Sequence, residues 1–338
     1  MSDKRQPSVS PRTEPLLSGR RFRNPNPAFQ DPTPLKVAKW IFLQIARRRS
    51  FPSFGILNSL NPAPEVDADP ADAHFLKENR SMTSFTWVGR STFLIQLEGL
   101  NILTDPVWSR RVFPGIGPRR FHSPGLALGA LPPIDLVLIS HDHYDHLDLR
   151  TLARLGPRPL FCVPLGLKSL LQRKGMARVE EFRWWSSLQS APLTIRCVPA
   201  QHFSVRGLQG RDKTLWAGWS IEGRRHRIYF GGDTGFYERQ FEEIKQVCGP
   251  LQVVILPVGA YRPEWLMGPV HMGPLEAIRA ARILGARWFI PCHWGTFQLS
   301  EEPLEEPAQL IRQATERGDL QGTQVWVPCP GVTRFMAG

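Results

Sequence analysis

The sequence predicts an α/β fold of two mixed β-sheets with helices on their outer faces. Two observations predict it. Short β-rich runs separated by Gly-containing turns open the body of the chain, at Thr83–Val88, Thr92–Leu97 and Leu100–Thr104. From Ile134 onward, strand and helix periods alternate, as in βα units. With 338 residues, 42% of them hydrophobic, the chain is long and apolar enough to bury a deep core.

The elements follow in order. Ile134–Ile139 is a continuous apolar run, suited to burial on both faces of a sheet. Leu160–Val163 reads as a strand and Leu165–Lys174 as a helix ended by Gly175. Leu193–Pro199, Trp216–Ile221 and Arg227–Phe230 are further strands, and Phe236–Val247 is a helix before the strand Val253–Leu256. Pro274–Leu284 carries Pro at its start and Gly285 after its end, the usual asymmetry of a helix. Arg287–Ile290 and Gln324–Val327 are strands on either side of a last helix near Leu304–Arg317. No repeat of solenoid length is present.

Charge divides the chain. The net charge is +12, yet residues 1–50 hold eleven Lys/Arg against three acids, a net +8, leaving +4 for everything after them. This predicts a basic N-terminal extension over 1–80 and a globular domain over 81–338. Residues before about Pro25 are polar and Pro-rich and are expected to be disordered, and Asn61–Ala73 reads as a linker. Between them Leu35, Ala38, Ile41, Phe42 and Ile45 recur at helical spacing, with Lys36, Lys39 and Arg47–Arg49 off that face. Such an amphipathic helix either lies on an anionic membrane surface or docks on the protein's own body.

Several classes are excluded. No apolar run reaches the length of a membrane span, and the N-terminus lacks the apolar core of a secretory signal. Five widely spaced cysteines without a CxxC pair argue against a disulfide scaffold or a cysteine-bound zinc. A reducing, cytoplasmic setting with peripheral membrane association is expected.

The histidines carry the chemistry. Three of nine fall in Ser140-His141-Asp142-His143-Tyr144-Asp145-His146-Leu147-Asp148, at the C-terminal end of the buried run Ile134–Ile139, where α/β folds place their sites. Side chains two apart in a tight loop can converge on one ion, and Asp145 with His146 on a second. Imidazole and carboxylate are the donors a borderline divalent cation such as Zn²⁺ favours. One loop seldom closes such a site, so distal ligands are expected at strand ends. His202 follows Leu193–Pro199, Asp233 follows Arg227–Phe230 in a Gly-Gly-Asp-Thr-Gly turn, and His293 follows Arg287–Ile290. His271 precedes the helix Pro274–Leu284 and either caps it or takes part in the chemistry. His74, His122 and His226 lack such a context.

Together these positions resemble the metallo-β-lactamase superfamily, and more closely its phospholipases D that hydrolyse N-acylphosphatidylethanolamine. The resemblance runs from about Arg21 nearly to the C-terminus. It also includes Arg21-Phe22-Arg23-Asn24-Pro25, Leu103-Thr104-Asp105-Pro106, Leu131-Pro132-Pro133-Ile134-Asp135, Val163-Pro164-Leu165-Gly166-Leu167, Gly259-Ala260-Tyr261 with Trp265 and Met267, and His293-Trp294-Gly295-Thr296-Phe297. It implies an αββα four-layer sandwich. It also implies two Zn²⁺, or other divalent transition metals, one held by His141, His143 and His202 and one by Asp145, His146 and His293. Asp233 would bridge both, and Asp105 would orient the histidine loop from behind. Two departures stand out: Gly89-Arg90-Ser91-Thr92 replaces a Gly-His-Ala-Thr turn, and Gly273 stands at a usually acidic position.

The implied reaction is phosphodiester hydrolysis by metal-activated hydroxide, giving N-acylethanolamine and phosphatidic acid at an anionic membrane surface. Asp233 and His271 would serve it catalytically. Tyr144 and Tyr261 either contact the head group or pack as wall. A homodimer is implied as well, and nucleic acid is the less favoured polyanion. A lactonase or nucleotide phosphodiesterase of the same fold is the alternative, and a non-catalytic lipid- or nucleic-acid-binding metalloprotein is a third reading.

Overall fold

The computed structural model describes residues 17–18, 21–30, 35–36, 39, 42, 70–113, 117–207 and 210–336. Two seven-stranded mixed sheets stack face to face with helices outside them. This is the predicted αββα sandwich.

The first sheet takes β3 (Thr83–Gly89), β4 (Thr92–Leu97), β5 (Leu100–Thr104), β6 (Leu136–Leu138), β7 (Leu160–Pro164), β8 (Val179–Phe182) and β16 (Thr333–Met336). Its order is β16-β3-β4-β5-β6-β7-β8, antiparallel up to β5 and parallel from β5 onward. The second takes β9 (Ser187–Ser190), β10 (Leu193–Val198), β11 (Gly218–Glu222), β12 (Arg227–Phe230), β13 (Val253–Pro257), β14 (Trp288–Cys292) and β15 (Gln324–Val325). It repeats the plan, antiparallel from β9 to β12 and parallel from there to β15.

Both faces of β3, β4 and β13 are buried; β13 is apolar throughout, and β3 and β4 also bury polar residues such as Ser84, Thr86 and Gln96. Phe85, Trp87, Phe93 and Ile95 meet Ile195, Trp219 and Ile228 between the sheets. Outside the first sheet, Leu94, Leu103, Val137 and Phe161 pack on Leu76 of α1 (Pro70–Glu78), Leu152 of α2 (Leu149–Leu155) and Leu171 of α3 (Lys168–Arg173). The second sheet is covered by α4 (Glu238–Cys248), α6 (Pro274–Leu284) and α7 (Glu306–Glu316), with a single turn, α5 (Glu264–Met267), before α6. Helix α6 begins on Pro274 and ends at Gly285, whose φ of 69° only glycine adopts readily.

Several expectations shift. The Leu165–Lys174 helix starts only at Lys168, because Gly166 turns the chain at φ 95°. Short elements went unread: α2, and the strands β8, β9 and β16 at or near the sheet edges. The linker Asn61–Ala73 is corrected at its end, where Pro70–Ala73 already belongs to α1; its earlier part lies outside the described residues. Of the stretch before Pro25, expected to be disordered, residues 17–18 and 21–24 are described and the rest lies outside the described residues. β2 (Arg21–Phe22) pairs with β1 (Leu17–Ser18), and the Phe22 amide donates to the Asp212 carbonyl at 2.8 Å. In the expected amphipathic stretch, Leu35, Lys36, Lys39 and Phe42 are helical and exposed, and the Lys39 ammonium lies 5.9 Å over the Trp265 ring. Ala38, Ile41, Ile45 and Arg47–Arg49 lie outside the described residues. Among the described residues no helix is long and apolar enough to cross a membrane, and all five cysteines are free.

Candidate metal centre

The C-terminal ends of strands from both sheets meet at one edge of the sandwich. β5 delivers Asp105, β6 the loop Ser140–Asp148, β10 His202, β12 Asp233 and β14 His293. In the turn after β12, Gly232 has φ 58°, and a Cβ there would lie 2.5 Å from that of Ser140, so glycine lets the Asp233 turn press against the histidine loop. Arg90, Asp105, Ala260 and His293, all flanking this edge, hold positive φ without being glycine. Such strain gathers where geometry is over-determined by a site.

The side chains converge. The ligand atoms of His141, His143 and His202 lie within 4.8 Å of one another, as do those of Asp145, His146 and His293. Asp233 stands between the trios, with Oδ2 3.1 Å from His146 Nε2 and 3.8 Å from His202 Nε2, and Oδ1 3.0 Å from His293 Nε2. His271, buried beside them, places Nδ1 3.8 Å from Asp233 Oδ2 and stacks on His293. It does not cap α6, whose N-cap is Gly273. His74, His122 and His226 join none of these groups.

Three of the rings are held from behind. His146 Nδ1 donates to Asp105 Oδ2 at 2.7 Å, His202 Nδ1 to the Val270 carbonyl at 2.9 Å, and His141 Nδ1 to Ser140 Oγ at 2.9 Å. Asp105 in turn accepts from the Ser140 amide and hydroxyl at 2.7 and 2.6 Å. These bonds orient the rings and turn Nε2 of His141, His146 and His202 into the cavity. The other loop acids do different work. Asp142 accepts from the Val205 amide and the Thr214 hydroxyl, and Asp148 caps α2.

Two close nitrogen pairs show what fits between the rings. His146 Nε2 lies 3.2 Å from His293 Nε2, and His202 Nε2 lies 3.3 Å from His143 Nδ1. His141 Nε2 is buried with no hydrogen-bond partner. Burial holds His143 and His202 at about 3 and drives His141 well below the usual histidine value, so these imidazoles are neutral donors at physiological pH. Burial also opposes a charge on His146, but Asp233, Asp145 and Asp105 outweigh it and raise its pKa well above that value. Burial works against the carboxylates of Asp145 and Asp233 too, yet His146 with Arg90 holds the first ionised and His146 with His293 the second. Buried imidazoles, neutral at His141, His143 and His202, beside anionic carboxylates are a donor set for divalent cations.

Residues 100–294, more than half the chain and spanning nearly all of these donors, match the family described as the Beta-lactamase superfamily domain. The chain belongs to the metallo-β-lactamase superfamily. This hydrolase is 34% identical, over 92% of its length and 91% of the relative's, to N-acyl-phosphatidylethanolamine-hydrolyzing phospholipase D 1 of Caenorhabditis elegans. It is 43% identical, over 79% of its length and 73% of the relative's, to an uncharacterized protein of Mycobacterium tuberculosis. Among solved structures, the metallo hydrolase Igni18 of Ignicoccus hospitalis shares the fold, with a TM-score of 0.59 at 24% identity over 76% of this chain and 100% of that one.

Two residues of the hydrolase's site were not singled out as functional from sequence. Arg90 is buried against Asp145, and its Nη1 also donates to the His293 carbonyl at 3.1 Å. Asn24 binds both backbone groups of His202: its Nδ2 donates to the carbonyl and its Oδ1 accepts from the amide, each at 2.8 Å. The signals existed, as a departure from the family turn at Arg90 and a family-like run at Arg21–Pro25, but neither said what the side chain touches. Of the tyrosines, Tyr144 is half-buried in the ligand loop with the Arg206 guanidinium 4.1 Å over its ring. Tyr261 is buried, and its hydroxyl donates to Glu306 of α7.

Proposed function

We propose that the hydrolase is a binuclear zinc phosphodiesterase of phospholipase D type that cleaves N-acylated ethanolamine phospholipids to N-acylethanolamine and phosphatidic acid. The observation that carries this reading is the convergence of two donor trios on one shared carboxylate, Asp233, in a chain alignable nearly end to end with a relative named for that activity.

In this reading His141, His143 and His202 hold one cation, Asp145, His146 and His293 the other, and Asp233 spans both. Two divalent cations supply, when bound, Lewis acidity toward a phosphoryl oxygen and a water acidified to near neutral pH. The protein's part is to place the phosphorus in line with that water and to steady the leaving oxygen. His271 suits the second task. Burial keeps its ring neutral, and its Nδ1 is buried without a hydrogen-bond partner beside Asp233. A neutral imidazole there can donate to a phosphoryl or leaving oxygen. Asp105 keeps His146 oriented throughout, and the buried walls keep bulk water out.

Hydrolysis of N-acylphosphatidylethanolamine vesicles in ¹⁸O-water tests the reading. Attack at phosphorus puts the label in phosphatidic acid and none in N-acylethanolamine, and metal analysis of the same sample gives two equivalents of zinc. Absence of both products with two metals bound would sink the substrate assignment.

A further inference from the structure

Tyr144, Leu147 and Asp148 of the ligand loop also line a cavity of about 590 Å³. Six arginines line it: Arg110, Arg111, Arg119, Arg150, Arg154 and Arg206. One carboxylate, Asp148, is among the lining residues, and it is already committed, accepting from the Ser109 and Arg150 amides and the Thr151 hydroxyl. The lining is therefore formally +5, whereas the whole chain beyond residue 50 carries only +4. The body's positive excess is gathered in one hollow.

Among the described residues, none of these six guanidiniums forms a salt bridge, and the carboxylates acting on Arg206 are Asp142 and Asp148, both already hydrogen-bonded elsewhere. Arg150 and Arg154 stand one turn apart on α2, exposed, a like-charge pair that costs helix stability. Arg206 reaches in from four residues past His202, donates Nη1 to the Asp142 carbonyl at 2.7 Å and stacks on Tyr144, which also meets Phe113 edge-on at 5.1 Å. Arg111 donates to the Gly117 carbonyl. Carbonyls and a ring hold these two guanidiniums in place, and neither is in contact with a carboxylate. Just behind, Arg120 has Nε and Nη1 buried with no hydrogen-bond partner. The remaining wall is apolar, from Trp108, Val112, Phe113 and Leu149.

We infer that this cavity binds the phosphomonoester head group of an anionic membrane phospholipid, phosphatidic acid, beside the metal centre. A phosphomonoester presents three oxygens and up to two negative charges, which forked guanidiniums match better than any other side chain. The apolar wall suits the glycerol and acyl stems that a lipid brings and a free phosphate does not. The choice of a lipid over a soluble phosphomonoester rests on the phospholipase reading of the neighbouring site; the anion site itself does not.

Flotation with phosphatidylcholine vesicles containing phosphatidic acid tests it, using zinc-loaded full-length protein. The triple variant Arg110→Gln, Arg150→Gln, Arg154→Gln changes exposed side chains outside the donor cluster and should fold. At about fivefold per arginine near an anionic surface, it should bind these vesicles on the order of a hundredfold more weakly. Its hydrolysis of a soluble, monomeric phosphodiester should be unchanged. A control with the same charge loss on another exposed face, Arg173→Gln, Lys174→Gln, Arg183→Gln, should bind as wild type. Equal loss in the control, or wild-type binding by the cavity variant, would overturn the site. Displacement from the vesicles by glycerol 3-phosphate at matched phosphate concentration would overturn the lipid assignment. Because flotation reads binding without turnover, failure of the phosphodiesterase reading shows up separately, as vesicle binding by a protein that does not hydrolyse N-acylphosphatidylethanolamine in the ¹⁸O-water assay.

Discussion

Arg90 gives both Nε and Nη2 to a single oxygen of Asp145, Oδ2, at 3.0 and 2.8 Å, and that same oxygen lies 3.5 Å from His146 Nε2 and 3.7 Å from His293 Nε2. A fixed cation thus leans on the carboxylate oxygen that also faces the candidate metal. Both side chains are buried, so the pair acts at low dielectric, where breaking it is costly.

Arg90→Ala leaves Asp145 charged in the interior without its closest cation, the Arg90 guanidinium. The metal-free protein should lose about 3–5 kcal/mol of stability, and added zinc should restore part of it by replacing the lost cation. Denaturant melts with and without zinc check this. Arg90→His, the residue usual in this family's turn, should fold and bind the second metal equivalent more tightly than wild type, because a competing positive charge has gone. Calorimetric zinc titration gives the comparison, and weaker second-site binding would count against the relationship.

Asp233→Asn keeps the shape of the side chain proposed to bridge the two cations and removes its charge. The predicted outcome is turnover lowered at least about a hundredfold with reduced zinc content and an unchanged circular dichroism spectrum, since metal-site perturbations cost this much even one shell further out. Full metal occupancy and wild-type turnover would disprove the bridging role.

Asn24→Ala removes both hydrogen bonds that pin the His202 backbone. Zinc affinity should fall by about tenfold, read by chelator competition, while the sandwich core, which Asn24 does not touch, stays intact.

His122 supplies a pH test outside the ligand set. Burial first, and Arg120 second, depress its pKa from 6.5 to about 4, while Nε2 pairs with the Thr296 hydroxyl at 3.0 Å. The unfolded chain therefore takes up a proton near pH 6.5 that the folded chain refuses until about pH 4. Stability from this group is present above 6.5 and is lost as pH falls through that window. His122→Gln should show a shallower loss of melting temperature between pH 6.5 and 4 than wild type. The metal ligands titrate equally in both proteins, so the difference reports His122.

Much of this molecule was legible in one dimension. Thr92–Leu97, Leu100–Thr104, Arg227–Phe230 and Pro274–Leu284 run between the residues their periodicity and punctuation indicate. The ligand loop and its strand-end partners were legible too, because their donor types are rare and each follows a strand. Short edge strands such as β9 and β16 were not, since four residues of mixed polarity and mostly partial exposure carry too little pattern to rise above a loop.

The sequence by itself determined the periods of strands and helices, the donor types and a charge excess whose place in space it did not give. Only the tertiary structure decided that Arg90 presses on Asp145, that Asn24 holds His202 from 178 residues away, and that six arginines share one hollow. The physical reason is that local pattern reports what a side chain prefers. Which neighbour meets that preference is settled by packing two sheets together, and the partners concerned lie far apart along the chain.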